Sequence, residues 1–411
     1  MNPRERISAA LNHKSPDKVP VDCASMRSTG IMAMAYNDLK RHLGIDEGRT
    51  LVYDMVQQLA LPEDWYLERF QIDSVDLCRA FTGTADDWIA WTLPDGSAAH
   101  RPAWVDIRAS GDSWSFHNAR SLEVGRMGPS MAYFTQTHYP LHDSSEVDLA
   151  RLPDMIRDTI WANNIDPMWR FAQRSDFPSM IRKQALRLRQ DSDRSMMAGV
   201  GCSLFETGQF LYRTDEFLMR MLLEGETVEH LLDRLTELHL QKLAVVVEAL
   251  GDVVDVFQFG DDFGTQSSTM ISPELYRSMI KPRQKRLFSY MHDHCPAKVF
   301  LHSCGAVADL IGDFIDVGVD ILNPVQIGAV GMEPANLKRR FGKDIVFWGG
   351  GIDTQHVLAN GSVADVRDAV LRSCDIFMPD GGFVFNQVHN IVSGVPPENI
   401  VAMYDAVAGF C

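Results

Sequence analysis

His302 and Cys304 lie two residues apart in Lys298-Val-Phe-Leu-His-Ser-Cys-Gly305, a short apolar run ending in an imidazole, a hydroxyl and a thiol. If the chain stays extended through Ser303, both side chains leave the same face. A thiolate beside an imidazole is a zinc-type pair, because Zn2+ accepts both donors with little geometric demand. Two ligands do not make a site, so a third must come from elsewhere. His389, in Asn386-Gln-Val-His389, is the candidate, leaving a coordination position open as catalytic zinc sites do. The plainer alternative is three unrelated residues, with Cys304 a small buried hydrophobe and each histidine hydrogen-bonded locally. Asp261 and Asp262, between two glycines in Gly260-Asp-Asp-Phe-Gly264, suit a fourth ligand or a general acid/base, and equally a turn whose carboxylates hold backbone amides. His292-Asp-His294-Cys295 is a rival cluster, but it precedes its strand and belongs at the opposite end of the fold.

These residues fall into a pattern when the strands are marked out. Val19–Asp22, Ser74–Cys78, Ser195–Val200, Val253–Phe257, Val299–His302, Val319–Leu322, Ile345–Trp348 and Gly382–Phe385 read as eight short apolar strands. Nearly all are separated by helical patterns, among them Ile31–Leu43, Leu51–Leu59, Thr227–Leu250, a helix opened by Ser272-Pro273 and the run Ala306–Val317. That alternation predicts an α/β fold, a (β/α)8 TIM barrel. Asp22, Arg79, Cys202, Asp261, Asp262, His302, Cys304, Asn323, Gln326, Asp353, Asn386 and His389 all fall at or just after a strand's C-terminal end. In a barrel those ends converge on one mouth, which brings His389 to His302 and Cys304.

Asp22 then joins Asp261 and Asp262 as a catalytic candidate. Asn323, Gln326, Asp353 and Asn386, with Arg27 and Arg79 for a carboxylate, are the substrate-binding candidates. Gly349-Gly-Gly351 suits either a close backbone approach or a tight turn. Trp88, Trp91, Trp104 and Trp114, set among Gly, Asp and Ser, mark a β-rich insertion at about 81–145, after the second strand. The expectation is one barrel domain over 1–411 with this insertion.

The chain of 411 residues is 45% hydrophobic and 23% charged, enough for a large core, and its net charge is −16. That balance argues against nucleic-acid and anionic-membrane binding. Neither an N-terminal signal core nor an 18-residue apolar run occurs, so a cytoplasmic protein is expected. Seven scattered cysteines (Cys23, Cys78, Cys202, Cys295, Cys304, Cys374, Cys411) read as reduced thiols.

Taken together, the chain resembles the uroporphyrinogen decarboxylase superfamily, particularly its cobalamin-dependent methyltransferase and O-demethylase branch. The residues that carry the resemblance are Pro3-Arg-Glu-Arg…Pro16-Asp-Lys-Val-Pro-Val21, Gly260-Asp-Asp-Phe-Gly-Thr-Gln266, Leu301-His-Ser-Cys-Gly305, Asp320-Ile-Leu-Asn-Pro-Val-Gln326, Phe347-Trp-Gly-Gly-Gly-Ile-Asp353 and Val395-Pro-Pro-Glu-Asn-Ile400. True uroporphyrinogen decarboxylases carry two arginines after the first strand; here Met26-Arg27-Ser-Thr-Gly30 has one. The zinc methyltransferases use a His-x-Cys pair plus a later cysteine, a position that His389 occupies here. The resemblance implies a zinc-dependent transfer of a methyl group between a small O-, S- or N-methylated substrate and a corrinoid. The cobalamin would come on a partner corrinoid protein or free, since no segment is left over to bind it, and a homodimer is compatible with this reading. The alternatives are a metal-free decarboxylase or lyase using Asp22 or Asp262 with Arg27 and Arg79, and a module that binds a corrinoid or other small ligand without turnover.

Overall fold

A computed structural model describes residues 1–129, 131–144 and 147–410; Cys411, and Ser130 and Ser145 of the expected insertion, lie outside them. Its centre is a parallel seven-stranded sheet. In spatial order the strands are Phe383–Val384, Val346–Trp348, Ile321–Asn323, Lys298–His302, Val256–Gly260, Ser195–Gly201 and Ser74–Asp76. Each strand from Ser195 onward lies beside its predecessor in this sheet, with helices between, as right-handed crossovers require. The sheet curls until its two edges meet one segment, Pro20–Asp22. There Val21 forms a parallel bridge to Phe385, and its carbonyl accepts the N–H of Asp73. The first expected strand is thus a single bridge. Pro20 has no N–H to donate, so a longer ladder cannot form at that edge.

Side-chain alternation decides what faces inward. Met197, Val256, Phe300, Ile321, Val346, Trp348 and Val384 form one buried cluster inside the curl. Val299, Leu301, Leu322 and Phe347 point the other way, into the larger core shared with the helices. The first helix, Pro3–Leu11, starts with Asn2 capping Glu5 in a reciprocal box and contributes Ile7, Ala10 and Leu11 to the inner cluster. It therefore plugs the end of the curl opposite the strand C-termini, which makes the sheet interior a packed core rather than a channel.

Several local expectations change. Leu51–Leu59 is not a helix: Val52–Asp54 pairs antiparallel with Leu59–Ala60, and Gln58 turns the chain at φ 55°. Apolar residues at helical spacing also suit a hairpin buried on both faces, and the Gln58 carbonyl, accepting from Ala33, settles it. Ile31 and Met32 are extended, so the next helix is Ala33–His42. The run after Gly305 becomes helical only at Ile311–Val317. Ser272 caps its helix as expected, accepting the N–H of Leu275 at 3.2 Å. Residues 88–136 form two antiparallel sheets, Trp88–Thr92 with Ala98–Pro102, and four strands between Asp106 and Gln136. Among the described residues, no helix is long and apolar enough to cross a membrane.

Candidate metal centre at the strand C-termini

His302 shares its alternation with Phe300, so its ring enters the mouth of the curl directly above the inner core. Its register partners are Gly260 on one side and Asn323 on the other. Asn323 Oδ1 lies 2.6 Å from His302 Nδ1, while the Asn323 amide donates to the Trp348 carbonyl at 2.8 Å. That second bond orients the amide, so its oxygen accepts and His302 Nδ1 donates. The lone pair of Nε2 is left free, aimed at Cys304 Sγ 3.3 Å away.

Cys304 is set by its loop. Its N–H donates to Asp262 Oδ1 at 2.8 Å, and the Gly305 N–H donates to Gln326 Oε1 at 2.7 Å. Ser303 takes the Phe263 N–H on its hydroxyl and donates its own N–H to the Asn323 carbonyl. Two glycines let the loops touch: a Cβ on Gly264 would lie 2.5 Å from the Cys304 carbonyl, and one on Gly305 2.4 Å from Gly264. Gly305 also sits at φ 88°, where only glycine is unstrained.

His389 arrives from the last strand. Its ring centroid is 5.7 Å from that of His302, and donor atoms of His302, Cys304 and His389 all lie within 4.8 Å of one another. Burial, and secondarily the neighbouring His302, push the His389 pKa down to about 4, so its imidazole is neutral with a lone pair to offer. The Cys304 thiol is pushed well above its ordinary value by burial, then by the charges of Asp262 and Glu206. Without a cation that sulfur keeps its proton. A divalent ion beside it inverts the balance and makes the surrounding carboxylates favourable. The donor set therefore fits a soft-to-borderline divalent metal.

The remaining candidates separate into distinct roles. Asp262 stays at this centre, with Oδ1 3.7 Å from His302 Nε2. Asp261 does not face it: its carboxylate accepts the N–H groups of Leu204, Phe205 and Glu206 at 2.9–3.2 Å. It anchors the start of the Phe205–Tyr212 helix, and burial raises its pKa to about 7 against the pull of those amides. Asp22 is fully buried, accepting from Ser74, Ser25 and Trp348 Nε1, and burial raises its pKa. These bonds make it a core anchor. Asn323 and Gln326 likewise position the site, Gln326 donating to Gln266 Oε1 as well. Asp353 accepts the N–H groups of Gln355 and His356 in its own turn. Asn386 donates to the carbonyls of Asp22 and Thr29, while its Oδ1 has no partner.

The two arginines do not converge. Arg27 pairs with Asp54 and Asp166 at 3.3 and 3.4 Å. Arg79 pairs with Asp64, donates to the Pro62 carbonyl and lines a separate groove of about 780 Å³ with Arg187, Asp191 and Arg194. Cys202 is buried, with its thiol pushed up to about 11 by burial. The Gly349–Gly351 run is spent on packing, since a Cβ on Gly351 would lie 2.4 Å from the Phe385 ring. The rival cluster does not assemble: His292 bonds the Gly318 carbonyl, His294 the Tyr290 carbonyl and Cys295 the Met291 carbonyl. His142, Asp143 and Glu216 also come together, but Glu216 is held by Arg220 at 2.8 Å.

Glu206 was not among the expected site residues. Its carboxyl lies 3.8 Å from the Cβ position of Gly260, and its pKa is raised well above normal by burial, then by Asp262 and Asp261. The signal was available: Gly201-Cys-Ser-Leu-Phe-Glu206 follows a strand, but Glu206 is one helical turn beyond the strand end.

A curled parallel α/β sheet with two histidines and a cysteine gathered at its strand C-termini defines a barrel-type α/β protein with a candidate metal centre. The chain belongs to the uroporphyrinogen decarboxylase (URO-D) family, whose model matches residues 181–410. A curated relative, the uroporphyrinogen decarboxylase of Syntrophotalea carbinolica, is 25% identical over 243 residues, covering 56% of this chain. The match spans 65% of that relative's length. Among solved structures, a methyltransferase from Methanosarcina mazei superposes with a TM-score of 0.58 at 18% identity, covering 99% of this chain and 98% of the other. That likeness is one of fold.

Proposed function

We propose that this protein is a zinc-dependent methyltransferase of a closed (β/α)8 barrel type, moving a methyl group between a small O-, S- or N-methylated substrate and a corrinoid. The observation that carries the reading is the meeting of His302 Nε2, Cys304 Sγ and a neutral His389 within 4.8 Å, with His302 already oriented by Asn323. These three residues would hold the zinc and leave a position for substrate. When bound, zinc would supply Lewis acidity to the methyl-bearing heteroatom, and a Co(I) corrinoid, free or on a partner protein, would be the methyl acceptor.

The chain's own residues supply the rest. Asp262 holds the Cys304 loop by accepting the Cys304 N–H and has its carboxylate beside His302, where it would be a further ligand for the metal or a group to hold a proton for the leaving heteroatom. Glu206, its pKa raised well above normal by burial and then by its two aspartate neighbours, is the candidate proton source next to Asp262. The fold likeness to a methyltransferase supports this reading. Metal-free decarboxylation has less support, because Arg27 is committed to two aspartates and Arg79 lines another groove.

The test is metal content of the purified protein beside His302→Ala, Cys304→Ala and His389→Ala, followed by spectral assay of Co(I) corrinoid methylation. About one zinc per chain, lost in each variant together with methyl transfer, is the expected result. A wild type that takes up no zinc on reconstitution, or a fully active Cys304→Ala, overturns it.

A further inference from the structure

Ten buried side-chain nitrogen or oxygen atoms among the described residues lack a hydrogen-bond partner, and five belong to one cluster: Arg27 Nε and Asp54 Oδ2, which face each other as an ion pair at 3.3 Å, and Tyr53 Oη, Asn164 Nδ2 and Asp166 Oδ1, which meet no partner. Such atoms are costly to leave unmet, and their concentration in one place points to an absent ligand rather than to scattered imperfection. Tyr53, Asp54 and Asn164 are almost wholly buried, at 1%, 0% and 2% exposure. Asp54 spends both oxygens, Oδ1 on the Gln57 N–H and Oδ2 on Arg27, whereas the Asn164 side chain is engaged only through Oδ1, which accepts from Met55, and Tyr53 Oη is not engaged at all.

The cluster adjoins the metal centre. Asn390, next in the chain to His389, donates to the Arg27 carbonyl at 2.9 Å and to Gln57 Oε1 at 3.0 Å, while the Gln57 N–H donates to Asp54. One side chain therefore ties the loop bearing His389 to both walls of the cluster. Arg27 stands between Asp54 and Asp166, Asp76 adds a third carboxylate to its surroundings, and Lys242 is the other cation acting on Asp166. The Lys242 amino group is itself held by the Val200 carbonyl at 2.8 Å, over the Trp169 ring.

We propose that this cluster is the recognition site for the ammonium end of the substrate, and that the substrate class is small amines carrying an oxygen near the nitrogen. The inference deepens the methyl-transfer reading and rests on it for the word substrate; binding itself needs no metal. An N–H cation donates to Asp166 Oδ1 and Tyr53 Oη together, and Asn164 Nδ2 donates to the neighbouring oxygen. An anion in the same place meets the Asp166 carboxylate oxygen and is repelled. A neutral ether leaves Asp166 Oδ1 without a donor.

Calorimetric titration with 2-methoxyethylammonium, 1,2-dimethoxyethane and methoxyacetate, three probes of similar size and different charge, tests this. The ammonium is expected to bind about tenfold or more tighter than the neutral ether, with no measurable binding of the anion. Asp166→Asn is expected to abolish that preference, and Tyr53→Phe, which removes only a hydroxyl, to weaken the ammonium several-fold while the fold, checked by circular dichroism, is kept. Equal binding of the three probes, a preference for methoxyacetate, or an unchanged preference in both variants overturns the proposal. Titrating Cys304→Ala separates the two readings: ammonium binding there stands whether or not methyl transfer is found.

Discussion

Asn323 Oδ1 sits 2.6 Å from His302 Nδ1, and the same asparagine amide is locked by the Trp348 carbonyl on the next strand. Three adjacent strands thereby determine which nitrogen of one imidazole faces Cys304. An orienting partner of this kind carries much of a metal site's affinity, because it fixes both tautomer and ring plane.

Asn323→Ala should therefore weaken zinc binding by about 10–100-fold while all three ligands remain in place. Chelator competition on the purified variant measures it. An affinity equal to wild type would mean that His302 is held by packing alone.

Gly264 and Gly305 make the contact that seats the Cys304 loop. A methyl group at Gly264 would collide with the Cys304 carbonyl at 2.5 Å, backbone that can yield only by moving the loop. Gly264→Ala should cost about 1–3 kcal/mol of stability and lower metal affinity as well. Denaturant unfolding of the metal-free protein, together with zinc titration, reads both effects. Loss of stability with unchanged zinc affinity would show that the loop accommodates the methyl without moving sulfur.

His239 provides a pH prediction away from the metal. Burial holds its pKa down to about 4, with Nε2 2.9 Å from the Ser203 carbonyl. In the unfolded chain it titrates near its ordinary 6.5, so between these values the unfolded state binds the extra proton. Its contribution is thus full above pH 6.5 and is lost as pH falls toward 4. His239→Gln, which keeps a donor for Ser203, should flatten the fall in stability across that window. Denaturant melts of metal-free protein at several pH values check the slope.

Arg79 separates methyl transfer from decarboxylation. Its partner Asp64 is largely exposed, so Arg79→Gln should cost less than about 1 kcal/mol in stability. It should leave zinc content and methyl transfer at wild-type levels. Activity abolished by this substitution but insensitive to chelation would return the case to a carboxylate-gripping enzyme.

Much of this was visible in one dimension. The parity of Phe300 and His302 placed the imidazole on the inner face, because alternation is a local property of an extended chain; Cys304 lies past the strand end, in a loop held by Asp262 and Gln326. The recurrence of short apolar strands and helices implied an α/β sheet whose ends converge, and that alone brought His389 to residues far away in the sequence. By contrast, Arg27 and Arg79 looked alike as single arginines beyond strand ends, and Asp261 and Asp262 looked interchangeable.

The tertiary structure decided between them by supplying partners that no spacing predicts. Asp54 and Asp166 take Arg27; three amides of the neighbouring crossover take Asp261; Trp348 and Ser74 take Asp22. Residue type and periodicity determine which groups reach the mouth. Whether a buried carboxylate or guanidinium is free for chemistry depends on who satisfies it there. Those partners come from distant segments, selected by packing and by the cost of leaving a buried polar atom unmet.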